Sequence, residues 1–398
     1  MKSGKILFLF LILVLVAGCG SGGSSAGGSA TVATPAPTAV NNVLTLTVNG
    51  SLCSKSYYNK PCVSVTICTA GTSTCQTIND VLVDTGSSGL RIFKQVLNVS
   101  LVQDTVSSGS LAECIQYGDG SSDWGPIQTA GIILGSEPAV AVPIQVIDST
   151  FGGIPSACQN ADQTPASTGF NGILGVGLFA QDCGLACVNS ANNGLYYSCS
   201  GGKCSGVAVP LSSQVQNPVS LLPRDNNGVI VQLPAVAPGG VPSVSGSLVL
   251  GIGTQSNNSP SPVAVYTVDQ HGEFTTNFNG ISYTSYIDTG TNGLFFTAPS
   301  ASVLPNCPYP HNSWFCPSAT KSFSATTKGA TVGASGTVSF QIGNFDSLIS
   351  SSNNVFAEIG GNVAGQFDWG LPFHFGRNVY YGIEGTKSSL GTGPYFAW

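Results

Sequence analysis

The sequence predicts an all-β fold, on three observations. Short runs rich in Val, Ile, Thr and Leu alternate with Gly, Asn and Pro turns. Strong helix formers are scarce, and no stretch keeps a helical period for the length of an ordinary helix. One strand-like run occurs twice, as Val81-Leu82-Val83-Asp84-Thr85-Gly86-Ser87-Ser88-Gly89-Leu90 and as Ser285-Tyr286-Ile287-Asp288-Thr289-Gly290-Thr291-Asn292-Gly293-Leu294. Each copy delivers one Asp to a tight loop. The Gly after Asp-Thr permits a sharp turn and close backbone approach. Two copies about 200 residues apart, alike before and after the Asp, point to an internal duplication.

The N-terminus is expected to lie outside the fold. Lys2 and Lys5 precede an apolar run, Ile6 to Val16, that is too short to span a bilayer. Small residues Ala17 and Gly18 then precede Cys19, the pattern of a secretory signal over residues 1–18. Val16-Ala17-Gly18-Cys19 resembles the bacterial lipobox, which implies cleavage before Cys19, lipidation of that Cys and a stable anchor. In a host with two membranes, Gly20 rather than Asp after the Cys favours the outer one. Residues 19–43 hold Gly, Ser, Ala, Thr and Pro and read as a flexible tether. Some 350 residues remain, comfortable for two units, expected over 44–245 and 246–398.

Charged residues make up 8% of the chain, the formal charge is −6, and basic clusters are scarce, which argues against nucleic acid. Of 13 Cys, removing Cys19 leaves an even set, as expected in an oxidising compartment. The spacings suggest Cys53 with Cys62, Cys68 with Cys75, Cys307 with Cys316, and Cys114 with Cys158 across the first half. Cys183, Cys187, Cys199 and Cys204 allow more than one pairing, and also a less favoured zinc site.

Along the chain, Leu44 to Val48 alternates and ends at Asn49-Gly50, a strand entering a turn. Val63 to Ile67 alternates likewise and leads through the Cys68–Cys75 loop to the Asp84 strand. Ile115-Gln116-Tyr117-Gly118-Asp119-Gly120-Ser121 followed by Gly131-Ile132-Ile133-Leu134-Gly135 reads as a hairpin with an exposed tip and a Tyr on its stem. In Phe170 to Gly177 an apolar run is broken by three Gly, which suggests a second backbone passing close by.

On these motifs the chain resembles the pepsin-type aspartic peptidases. Asp84-Thr85-Gly86-Ser87-Ser88 and Asp288-Thr289-Gly290-Thr291 are similar to that family's two catalytic loops. Tyr117-Gly118-Asp119-Gly120-Ser121 is similar to its flap. Ile173-Leu174-Gly175 resembles the segment threaded behind the first loop. Gly246 to Gly251 resembles the strand near the crossing between lobes. Phe367-Asp368-Trp369-Gly370 and Val379 to Ile383 resemble the closing segment of the second lobe. The resemblance spans about Val43 to Trp398. It implies a two-lobed fold with pseudo-twofold related lobes and a cleft between them. With its lipobox and many Cys, the variant is similar to an uncharacterised bacterial lipoprotein family. Four departures stand out: Arg91 where an aromatic is usual, Asn292 where Ser is commoner, an altered closing motif at Trp369-Gly370-Leu371 followed by His374, and no basic propiece, so a self-inhibited zymogen is not expected.

The chemistry fits those residues. Peptide hydrolysis needs a water made nucleophilic and a carbonyl oxygen that gains a proton. Two close carboxyls sharing one proton can do both, because like charges resist joint ionisation. Ser87 and Thr291 are expected to donate to the outer carboxylate oxygens, and the Gly86 and Gly290 amides to hold the inner ones. Tyr117, Gly118, Asp119 and Arg91 are expected at the flap and cleft, with Arg91 stacked on Tyr117 or turned toward acidic substrate groups; the plainer alternative is a surface Arg paired with solvent or a nearby Asp. His271, His311 and His374 lack metal-ligand spacing, so no metal or cofactor is expected. Glycosidase carboxyls need no matched loops, and no Gly-x-Ser-x-Gly elbow occurs. The expected function is an aspartic endopeptidase, monomeric, exported and lipid-anchored, acting on extended polypeptide. Its rival is a surface protein on the same fold that binds peptide or glycan without cleaving it.

Overall fold

The computed structural model describes residues 41–54, 57–331 and 333–398. The expected signal, the lipidated Cys19 and most of the tether fall outside them. The fold is all-β. Its strands form a 17-stranded sheet, a seven-stranded sheet and a two-stranded hairpin, and the described helices are single short turns. The folded part begins slightly earlier than the expected residue 44. Asn42 is buried, and its side-chain amide donates to the Leu250 carbonyl at 2.7 Å.

Each Asp-Thr-Gly loop sits in the same three-strand weave. Strand Cys75–Asp84 brings in the first Asp and strand Ser88–Phe93 leaves the loop. Strand Gly172–Val176 threads between them, parallel to the first (Leu82 beside Ile173, Asp84 beside Gly175) and antiparallel to the second. In the seven-stranded sheet, strand Ile281–Ile287 brings in the second Asp and Leu294–Phe296 leaves. Gln366–Trp369 threads between, parallel to the former (Tyr286 beside Asp368, Ile287 beside Trp369) and antiparallel to the latter. The threading explains the broken Gly run. A Cβ on Gly175 would lie 2.8 Å from the Ser87 hydroxyl oxygen, and one on Gly370 only 2.1 Å from the Gly293 carbonyl. No side chain fits where one backbone crosses behind the other.

The expected boundary at 245/246 falls inside a strand. Val244–Leu250 lies between Val43–Val48 and Gly228–Leu233, and the chain returns to this sheet through Arg377–Gly382 and Tyr395–Ala397. The last strands therefore belong to the larger sheet, because their apolar faces (Val379, Tyr381, Phe396) complete its core. The seven-stranded sheet has an aromatic core instead. The Phe296 and Phe367 rings stack at 5.0 Å, and Phe278, Phe340 and Trp369 pack around them.

All twelve Cys beyond Cys19 are paired: 53–62, 68–75, 114–158, 183–187, 199–204 and 307–316. This resolves the four-Cys cluster into two local disulfides. Two groups of Cys and Asp lie close together (Cys53, Cys62 and Asp80; Cys307, Cys316 and Asp346), but disulfides occupy their sulfurs.

Candidate functional site: two facing Asp-Thr-Gly loops

The two loops meet face to face. The Gly86 amide donates to Asp84 Oδ1 at 2.8 Å, and the Ser87 hydroxyl to Oδ2 at 2.5 Å. The second loop repeats this, Gly290 amide to Asp288 Oδ1 at 2.7 Å and Thr291 hydroxyl to Oδ2 at 2.8 Å. The Thr residues lock the loops together. The Thr85 amide donates to Thr289 Oγ1 (3.1 Å), and the Thr289 amide to Thr85 Oγ1 (2.9 Å). Thr289 Oγ1 also donates to the Val83 carbonyl at 2.7 Å, behind the first Asp. The carboxyls themselves are adjacent. A Cβ on Gly86 would stand 2.7 Å from Asp288 Cγ, and one on Gly290 would stand 2.9 Å from Asp84 Oδ1. Each carboxylate accepts one amide and one hydroxyl, which fixes its plane and leaves the inner oxygens of the pair turned toward each other.

Both carboxyls are enclosed: Asp84 is 3% exposed and Asp288 0%. Segment Tyr57–Lys60 contributes to the cover, a feature that sequence reasoning missed. The Asn59 side chain donates to the carbonyls of Asn292 and Phe356 and accepts from the Phe356 amide. Asn292 in turn donates to the Tyr58 carbonyl at 3.1 Å. Its amide is the reason Asn suits this position, since a Ser hydroxyl is shorter. Lys60 anchors the near end, donating to Asp80 (2.6 Å), Ser54 and the Gly169 carbonyl. Burial, together with the charges of Asp80, Asp84 and Asp288, pushes the Tyr57 phenol well above its usual range. A small cavity of about 50 Å³ lies beside the loops, lined in part by Gly86, Ser87, Leu178, Phe179, Glu273 and Tyr286.

The hairpin forms as expected. Gly118, Asp119 and Gly120 are exposed at its tip, and Tyr117 lies on the stem, buried against Leu82, Ile115 and Ile173, its hydroxyl donating to Asp123. Arg91 is a correction. Its guanidinium is 1% exposed and binds Glu113 (2.9 Å), Asp182 (2.7 Å) and the Ser88 carbonyl (3.0 Å), so it does not face a cleft. Seven residues of sequence bring it behind the first loop rather than over it. There its charge is absorbed by two buried acids and does not act freely on the Asp pair. Asp182 also accepts from the Tyr196 hydroxyl at 2.6 Å.

Burial, then the neighbouring Asp84 and Asp368, hold the Asp288 carboxyl well above the usual range. Behind the loops, Tyr381 stands near the Thr85 hydroxyl and meets His374 Nε2 at 2.5 Å. Burial pushes that imidazole down to about 3, so it is neutral. Across the fold, Asp104, Glu137, Asp182, Glu273, Asp288, Asp368 and Glu384 are all raised, burial being the first cause at each. At Asp148 burial is outweighed by Lys94 and Thr150, and the carboxyl is lowered. A raised folded-state value stabilises the fold below the unfolded value and loses that stability as pH climbs through the folded one. Each tenfold gain in proton affinity on folding is worth ~1.4 kcal/mol. The unfolding temperature is therefore expected to be higher near pH 4.5 than at pH 7.5, by several degrees in a thermal melt. A melting point that climbs toward neutral pH would show that these acids are ionised in the folded protein.

The family described as Protein of unknown function (DUF3443) matches residues 38–398. The chain belongs to that family. The match takes in both loops, the covering segment and every disulfide. No curated protein matches the chain.

Proposed function

We propose that the chain is an aspartic endopeptidase of the two-lobed, pepsin-like kind, with Asp84 and Asp288 as its catalytic pair. The observation that carries this reading is the adjacency of two carboxyls held by matched loops, with room for no side chain between them. The mechanism is the known chemistry of aspartic proteases, applied to these residues. A water between the carboxyls gives a proton to the ionised one and attacks the carbonyl carbon. The protonated carboxyl gives its proton to the carbonyl oxygen. The tetrahedral species then breaks its C–N bond: the amine nitrogen takes the proton of the protonated carboxyl, and one hydroxyl returns its proton to the ionised carboxyl as the new carbonyl forms. The two sheets would form the two lobes, with extended polypeptide as substrate. The sequence before residue 41 and the paired Cys support an exported protein held at the cell envelope through Cys19.

The enclosure of the Asp pair favours one second reading, a protein that binds peptide or glycan without cleaving it. Incubation with casein and an octapeptide library from pH 3 to 8 separates the two. Cleavage by the wild type, reduced at least about a thousandfold in Asp84→Asn, is the expected result. A folded wild-type protein that leaves every substrate intact would return the chain to the binding reading.

A further inference from the structure

The altered closing motif places a third acid in the site. Asp368 is 0% exposed; its nearest donor, the Thr291 hydroxyl, is spent on Asp288, and neither Asp368 oxygen accepts a hydrogen bond of good geometry. Strand alternation fixes its direction. Phe367 and Trp369 enter the aromatic core, so Asp368 points to the opposite face. Its parallel neighbour is Tyr286, which shares a face with Asp288 two residues on. Tyr286 also lines the cavity beside the loops. The charges acting on Asp368 and Tyr286 include those of Asp84, Asp288 and Glu273, all acidic.

The chain supplies its own control. In the first weave the counterpart of Asp368 is Ile173, beside Leu82 where the second has Tyr286. Ile173 is 3% exposed in an apolar cluster. Packing at this position therefore calls for an apolar side chain. A buried carboxyl without partners is costly to the fold, and its unsatisfied oxygens are a ready acceptor for an incoming donor.

We propose that Asp368 is a specificity-determining residue whose unpartnered carboxyl receives a cationic nitrogen of the substrate, a Lys or Arg side chain or a free amino terminus, entering past Tyr286. This rests on the peptide reading of the site. An arriving ammonium or guanidinium would favour the ionised form of this buried acid and supply donors to both oxygens, whereas an aliphatic group does neither. Glu273 on the cavity wall adds to the preference.

The test measures binding, so it does not depend on turnover. Octapeptides matched except for Lys or norleucine at one scanned position, each with a free and an acetylated N-terminus, are titrated into Asp84→Asn protein by fluorescence polarisation. The same titrations are run with Asp84→Asn carrying Asp368→Ile or Asp368→Asn, with a thermal melt to establish folding. The Asp84→Asn protein should favour the cationic member about tenfold or more, and Asp368→Ile should abolish or reverse that ratio, with Asp368→Asn between them. Loss of the preference on acetylation would assign the nitrogen to the amino terminus, and its persistence to the side chain. The same ratio with and without Asp368 overturns the proposal, as does the absence of binding by any peptide to folded protein. A ratio that depends on Asp368 in a protein whose wild type cleaves nothing would keep this inference and remove the hydrolytic one.

Discussion

Gly86→Ala is expected to abolish hydrolysis while leaving the fold intact. The backbone at residue 86 lies outside the left-handed region, so Ala is tolerated there conformationally. The obstacle is the opposite carboxyl, whose Cγ, Oδ1 and Oδ2 would lie 2.7, 2.9 and 3.0 Å from the added methyl. Asp288 must turn or retreat, and Thr291 and the Gly290 amide, which hold it, must follow. Misplacing a reacting group by about 1 Å costs on the order of a hundredfold in rate, and here the space for the water is lost as well. Turnover should fall at least as far as that, with the thermal melt close to wild type. Near-normal kcat in Gly86→Ala would mean that the carboxyls do not work as a pair.

Thr289→Val is expected to be the costliest change to stability among the loop residues. Val has nearly the shape of Thr, so packing survives and the loss is in hydrogen bonds. The Thr85 amide and the Val83 carbonyl both lose their bond to this hydroxyl, deep in the joint between the two sheets. Each buried group left unsatisfied costs ~1–3 kcal/mol, about 2–6 kcal/mol together if additive. Thr85→Val should cost less. Its hydroxyl serves the Thr289 amide at 2.9 Å but reaches the Ile287 carbonyl only at 3.5 Å, and the Tyr381 hydroxyl beside it keeps His374 as a partner. Urea unfolding of both variants, with Thr289→Ser as the restoring control, checks the order. Equal losses would mean that the joint is symmetric in energy as well as in sequence.

What the sequence revealed was local. The paired loops, the hairpin, the threaded Gly and three short disulfides could be read because each depends on residues near one another or on a repeated pattern. What it concealed was set by distant partners. Asn59 binds residues 233 and 297 positions away, and nothing in Tyr-Tyr-Asn-Lys announces that. Arg91 was placed from its distance to Asp84, while Glu113 and Asp182, which decide its position, are strangers in sequence. The altered motif at Trp369 was visible, but the place of Asp368 beside Tyr286 is set by strand register. The boundary at residue 246 failed because a strand that closes one sheet can arrive from either end of the chain.

The disulfides have a consequence for how such a chain matures. Five of the six close rings spanning 4 to 9 residues, and the sixth spans 44. None ties residues 43–250 to residues 274–369. Each short ring removes less freedom from the unfolded chain than the long one, though still about 2 kcal/mol by chain entropy. Each can also close within its own stretch of chain, before distant segments have met. Oxidation and assembly are thus separable events. Bringing the two Thr-locked loops together is left to non-covalent contacts.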